Sequence, residues 1–190
     1  MDPSTSPPSE TSESAKRTGQ ALKRFIRDVP DFPQPGVLFR DITPLLQDAQ
    51  AFKWVVDRLT QEFQTAGVNA VVGIESRGFL LAAPLAYNLG VPLVPVRKAG
   101  KLPSARMSVE YALEYGSGQL DIHEDALRRD DSVVIVDDLL ATGGTAMATA
   151  KLVELLGARV LSFAFLVELA QLGGRERLRD YPVLSLIRYP

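Results

Sequence analysis

Residues 133–146 read VVIVDDLLATGGTA: an apolar run, two adjacent carboxylates, then a loop of small residues. The four β-formers Val133, Val134, Ile135 and Val136 predict a strand covered on both faces, because a half-exposed strand would alternate apolar with polar. Asp137 and Asp138 are expected at its end. Ala141, Thr142, Gly143, Gly144 and Thr145 follow, and a helix is predicted from about Thr145 to Leu156. In open parallel sheets, ligands bind beyond the carboxyl ends of strands. Glycines there let backbone N–H groups close around an anion, and a helix N-terminus adds its dipole. Thr142 and Thr145 add hydroxyl donors, so the loop reads as a cradle for one phosphate. Two carboxylates beside it would repel that phosphate unless something neutral or cationic lay between them. A vicinal diol fits, since a carboxylate accepts two O–H bonds. The stretch therefore points to a ribose 5-phosphate, with its phosphate on residues 141–145 and its hydroxyls on Asp137 and Asp138. Taken alone, a Gly-Gly turn after a strand is an ordinary βα loop. The other phosphate motifs fail on spacing: there is no G-x-x-x-x-G-K-[ST], and no G-x-G-x-x-G after a strand.

Outward from this stretch the same rhythm repeats. AVVGI (residues 70–74), VPLVPVR (91–97), RVLSFAFLVEL (159–169) and VLSLI (183–187) are further predicted strands, with helical stretches between several of them. Phe52, Val55, Val56, Leu59 and Phe63 mark one face of an amphipathic helix. The fold class is α/β: a doubly wound parallel sheet flanked by helices, in one domain. Pro84 lies inside the helix expected after Gly78, where it would kink or shorten it. Ala21, Leu22, Phe25, Ile26 and Val29 fall at helical spacing up to Pro30. Residues 28–46, with four prolines, predict an ordered, mostly extended segment packed on the domain. Residues 97–127 break the rhythm. They are long, polar and charged, as flaps and lids are.

The chain has 190 residues, 46% of them hydrophobic and 23% charged, which is the profile of a soluble globular protein. A net charge of −2 gives no general field for nucleic acid or anionic membrane, so any anion must be held by a local cluster. There is no cysteine, which removes disulfides, thiolate nucleophiles and cysteine-ligated zinc. The one histidine, His123, makes no metal site by itself and is expected on the surface or in the flap; Trp54 is expected in the core. No apolar run is long enough to span a bilayer. Residues 1–20 are rich in Ser, Thr, Pro and acids, and are expected to form a disordered tail that is neither a secretory signal nor a transit peptide.

VVIVDDLLATGGT resembles the phosphoribosyl pyrophosphate (PRPP) signature of the type I phosphoribosyltransferases. DFPQPGVLFRDITPLL, GIESRGF, VPVRKAGKLP and LEYG resemble, in order and spacing, segments of the adenine-using branch of that family, from about residue 22 to the end. The resemblance implies a domain over residues 21–190, with a hood at about 30–45 and a flap at about 99–122. It implies transfer of the 5-phosphoribosyl group from PRPP to adenine, a pentosyl transfer that yields AMP and pyrophosphate in purine salvage. It also implies Mg²⁺ held mainly by substrate oxygens, a homodimer, and a cytoplasmic location with no nucleic-acid or membrane partner.

The same resemblance assigns roles to residues. Ser76 and Arg77 belong to a pyrophosphate loop, with a cis peptide expected at Glu75–Ser76; the plain alternative for Arg77 is a surface residue at a helix start. Arg97, Lys98 and Lys101 supply cations to the diphosphate, some of them across a dimer interface, where a solvated charge run is the alternative. Glu114 and Tyr115 in the flap close over the reacting centre, although Glu110 and Tyr111 form a second Glu-Tyr pair nearby. Leu38, Phe39 and Arg40 form the adenine hood: Phe39 stacks on the purine, and backbone groups of Leu38 and Arg40 read its N6 edge. The alternative there is core packing of Phe39 and an Arg40–Asp41 salt bridge. Leu169 walls the base pocket. Two rival functions fit the residues less well: the same transfer to a 6-oxopurine, and a non-catalytic PRPP sensor that binds nucleic acid, which would need a basic face or an added module.

Overall fold

The computed structural model describes residues 19–112 and 117–190. Apolar runs become strands where the sequence places them: β3 is Ala70–Ile74 and β8 is Arg159–Leu169. Every residue of β3 is buried, which is why that run carries no polar alternation. Among the described residues, seven strands form one sheet in the order β5-β6-β4-β3-β7-β8-β9. The others are β4 (Leu93–Lys98), β5 (Arg106–Ala112), β6 (Ser117–His123), β7 (Ser132–Leu140) and β9 (Val183–Tyr189). β4, β3, β7, β8 and β9 run parallel, while β6 pairs antiparallel with β4 and β5 with β6.

Helices α2 (Ala49–Phe63) and α3 (Gly78–Leu89) pack on one face through Val55, Leu59, Leu81 and Leu85, which meet Val71, Val134 and Leu166 of the sheet. Helix α4 (Gly144–Leu155) covers the other face through Ala148, Leu152 and Val153, against Val72, Ile135 and Phe163. α3 runs through Pro84, which removes one N–H without ending the helix. From β3 the chain crosses outward to β4, and from β7 it crosses the opposite way to β8. The strand order therefore reverses between β3 and β7, and the crevice at their carboxyl ends is where such a sheet takes its ligand.

Several expectations are corrected. Helical spacing up to Val29 does not give a helix there. Residues 19–22 are helical and a 3₁₀ turn covers Lys23–Phe25, but Arg27–Pro30 is strand β1, paired antiparallel with β2 (Leu38–Asp41). Pro30 disfavours a helical conformation at Val29, and the cross-strand partners Arg27↔Asp41 and Asp28↔Arg40 match charge to charge. The segment read as extended ends in a short helix, α1 (Thr43–Gln47), whose Pro44 lies in the first turn where its missing N–H costs nothing. Asp137 and Asp138 are not at the end of β7 but inside it, because the long β8 keeps pairing as far as Leu140↔Glu168. Trp54 is half-buried rather than fully in the core, and so is His123, whose Nε2 is buried without a hydrogen-bond partner. Gly19 already packs against the Leu186 carbonyl.

Candidate active site

The loop after β7 is shaped by two glycines with different duties. Gly143 has φ 77°, a conformation that L side chains rarely adopt, and α4 begins at the next residue. A Cβ on Gly143 would lie 2.9 Å from the Gly174 carbonyl oxygen. Gly174 opens the short helix α5 (Gly174–Arg177), and a Cβ there would lie 2.2 Å from the Ala141 carbonyl oxygen. The two backbones thus press together under the loop. Among the described residues none accepts a hydrogen bond from the N–H of Ala141, Thr142 or Gly143. These donors border a cavity of about 80 Å³ lined by Asp137, by residues 139–146 and by Phe165. Free N–H groups in a concave loop at a helix start are the equipment of an anion site. Gly143→Val should raise the Michaelis constant for the phosphate-bearing substrate and also lower stability by about 2–4 kcal/mol, since it combines a disfavoured φ with a backbone clash. Steady-state kinetics and denaturant melts check both; unchanged kinetics in a folded variant would remove the cradle.

The two carboxylates of β7 part company. Asp137 lines the loop cavity, and its Oδ1 accepts from the Asp138 N–H at 2.8 Å. Asp138 is 4% exposed and turns to Arg77, whose Nε lies 3.0 Å from its Oδ2. That approach is an ion pair without hydrogen-bond alignment, and Oδ2 has no aligned donor. Burial, with the neighbouring Asp138 charge, pushes the Asp137 carboxyl well above the ordinary carboxylate range. Burial also raises Asp138, less far, because the Arg77 charge opposes it.

Arg77 caps the N-terminus of α3, in the loop that follows β3. The Glu75–Ser76 peptide before it is cis, as expected. Gly78 is needed for its lack of a Cβ rather than for backbone freedom: a Cβ would meet the Val136 carbonyl at 2.7 Å and Asp137 Oδ1 at 2.9 Å. This contact draws the β3 loop onto the β7 acids. The Arg77 guanidinium also lies 4.9 Å from the ring centroid of Phe39, which stands edge-on to Phe32 at 5.1 Å. One arginine therefore joins the hood strand β2, the β3 loop and the acid pair.

Residues 45–187 match the phosphoribosyl transferase domain. A protein named adenine phosphoribosyltransferase from Synechococcus sp. is 56% identical over 168 residues, covering 88% of this chain and 98% of the relative. The chain belongs to the adenine phosphoribosyltransferase family. Its solved members superpose closely. The adenine phosphoribosyltransferase of Thermoanaerobacter pseudethanolicus matches with a TM-score of 0.87 and 51% identity over 90% of this chain and 99% of its own. That of Saccharomyces cerevisiae, solved with an imino-altritol bisphosphate and adenine, matches with a TM-score of 0.84 and 41% identity over 90% and 99%.

In this member of the family the remaining sequence-predicted residues divide. Leu38 is 46% exposed, and Phe39 is half-buried. Arg40 does not pair with Asp41: it pairs with Asp28 and stacks 4.0 Å from the centroid of Tyr189, while Asp41 takes Arg27. Strand pairing explains the exchange, because Asp28 stands directly opposite Arg40. Leu169 ends β8, half-buried and paired with Tyr189. Glu114 and Tyr115 lie outside the described residues. The second pair is described: Glu110 is exposed, and Tyr111 lies across Gly118 with its hydroxyl 3.5 Å from Thr145 Oγ1 at the start of α4. Arg97 and Lys101 both pair with Glu75, although their side chains stay partly exposed. Two features had no signal in local sequence: the Gly174 turn beneath the loop, and the buried carboxylate of Glu168, which binds Arg175 and Arg188.

Proposed function

We infer that this chain transfers the 5-phosphoribosyl group of PRPP to N9 of adenine, forming AMP and releasing pyrophosphate. The observation that carries the reading is the pairing, at the strand-order reversal, of an anion-ready loop with two adjacent carboxylates, Asp137 half-buried and Asp138 buried. The N–H groups of Ala141, Thr142 and Gly143, the start of α4 at Gly144, and the hydroxyls of Thr142 and Thr145 hold the 5-phosphate. Asp137, reaching into the same cavity, orients a ribose hydroxyl, and Asp138 orients its neighbour while fixing Arg77. Arg77 and the Ser76 backbone face the diphosphate. Departure of pyrophosphate leaves positive character at the ribose C1, which the carboxylates stabilise. Glu114 and Tyr115 close over that centre and exclude water. Arg77 braces Phe39 from one side, leaving the ring to stack on the purine with Leu169 as a further wall. Hood carbonyls from residues 38–40 accept from the N6 amino group; a 6-oxopurine would face them with a second acceptor.

The donor set suits a hard cation. The carboxylates of Asp137 and Asp138 offer oxygen, and among the described residues there is no group of three or more acidic or histidine ligands to form a protein cage. Mg²⁺ would take most of its ligands from substrate oxygens and would neutralise diphosphate charge. Leu80 and Tyr87, which are 45% and 87% exposed on α3, support assembly as a homodimer. Among the described residues no helix is long and apolar enough to cross a membrane. We place the enzyme in the cytoplasm, where salvage substrates are found.

A product assay with PRPP, Mg²⁺ and separate samples of adenine, hypoxanthine, guanine, xanthine and uracil tests the reading. AMP from adenine alone is expected. Turnover of a 6-oxopurine would discard the hood assignment and keep the PRPP site. PRPP binding without any product would point to a sensor.

A further inference from the structure

The cations offered to the diphosphate already have an anion. Glu75, whose side chain is 7% exposed, accepts from the Lys98 backbone N–H at 3.0 Å and from Arg97 Nε at 3.3 Å through Oε2, and pairs with the Lys101 ammonium through Oε1. Arg97 also donates to the Lys101 carbonyl at 3.0 Å, which closes the loop on itself. The asymmetry of burial matters. The carboxylate is fixed and enclosed, while the side chains of Arg97 and Lys101 are 34% and 47% exposed. An ammonium has three donors and a guanidinium five, so both cations keep donors free for a second anion. Burial alone would raise the Glu75 carboxyl, but the bonds from Lys101 and the Lys98 N–H, with the charges of Lys101 and Arg97, hold it below the usual value. These partners therefore favour the charged form of Glu75.

We propose that Glu75 is a positioning residue that shapes the basic loop as its resident counter-anion and competes with the diphosphate for Arg97 and Lys101. This rests on the PRPP reading above. Glu75 leads directly into Ser76 and Arg77, so the competing carboxylate stands in the loop that faces the diphosphate. The consequence is a weakened hold on pyrophosphate, which favours its release after transfer.

Calorimetric titration of the full chain with inorganic pyrophosphate and Mg²⁺ tests this, using wild type, Glu75→Gln and Lys101→Ala. Gln keeps an oxygen for the Lys98 N–H and removes the charge. Glu75→Gln should bind pyrophosphate about 10-fold tighter, with a steeper loss of affinity on adding salt, and should turn over more slowly. Its affinity for AMP should stay within about 2-fold, which a general disturbance of the site would not allow. Unchanged or weaker pyrophosphate binding by folded Glu75→Gln overturns the proposal. If in that case Lys101→Ala binds pyrophosphate more weakly, the diphosphate assignment survives and only the competitor role falls. If neither variant changes pyrophosphate affinity, the loop is not the diphosphate site and both fall. Should Glu75→Gln fail to fold, Glu75→Asp decides: it withdraws the carboxylate by one methylene, and tighter pyrophosphate binding is again required.

Discussion

Asp137→Asn should lower turnover by about 100- to 1,000-fold, the scale of losing one preorganised group that meets developing charge, while raising the melting temperature. The two effects have one origin. Asp137 sits among buried groups beside Asp138, and its carboxyl is pushed well above the usual range by burial and by that second charge. In the unfolded chain it titrates near 3.8. A carboxyl whose folded pKa is raised lends stability only while it is protonated in both states. As pH rises from about 3.8 through the folded value, the unfolded chain releases its proton first and the native state loses ground. Asn has no proton to lose, and its Oδ1 still accepts from the Asp138 N–H. Near neutral pH the variant should gain about 1 kcal/mol, or about 2–4 °C for a chain of this size. The gain should shrink towards pH 4. Thermal melts at several pH values, beside steady-state kinetics, check it. A gain that does not depend on pH would mean that Asp137 is not strained by its charge, and undiminished turnover would remove it from the reaction.

That strain was only half legible in the amino-acid sequence. The runs at Ala70–Ile74 and Arg159–Leu169 could be read as buried parallel strands because burial on both faces leaves no polar alternation to misread. The tight loop after β7 and the helix that follows it were legible because their residue types are local to one turn. What failed was whatever depends on a partner far along the chain. Val29 looks helical until Phe39 pairs with it. Asp137 and Asp138 look like a strand end until β8 extends beside them. Gly78 gives no local sign of its duty, which is to let Asp137 approach. Glu75 gives no signal at all, since its partners Arg97 and Lys101 lie 22 and 26 residues onward. In each case the deciding contact joins residues from different elements, where periodicity along the chain carries no information.

Arg77 makes two such long-range contacts, to Asp138 and to Phe39, and its removal should be the most damaging single change. Arg77→Ala is expected to reduce kcat/KM for PRPP by about 1,000-fold, roughly 4 kcal/mol of transition-state stabilisation. It withdraws the cation proposed to face the diphosphate, and it releases Phe39, whose ring the guanidinium covers. The Michaelis constant for adenine should therefore rise as well, although Arg77 is assigned no contact with the base. It also leaves the buried Asp138 without a countercharge. The Arg77 charge is what restrains Asp138 against burial, so without it that carboxyl should titrate higher still and the acid limb of the pH–rate profile should move to higher pH. Loss of the ion pair should cost about 1–2 kcal/mol of stability, the low end for a broken pair because the arginine is one-third exposed. Arg77→Lys separates charge from shape. It keeps a cation near Asp138 but loses the plane that covers Phe39. A loss of about 10- to 100-fold in kcat/KM, near-normal stability and a raised adenine constant are expected of it. If Lys restores the adenine constant as fully as it restores stability, the guanidinium plane does not brace the hood, and Phe39 must be held by Phe32 and its own strand alone.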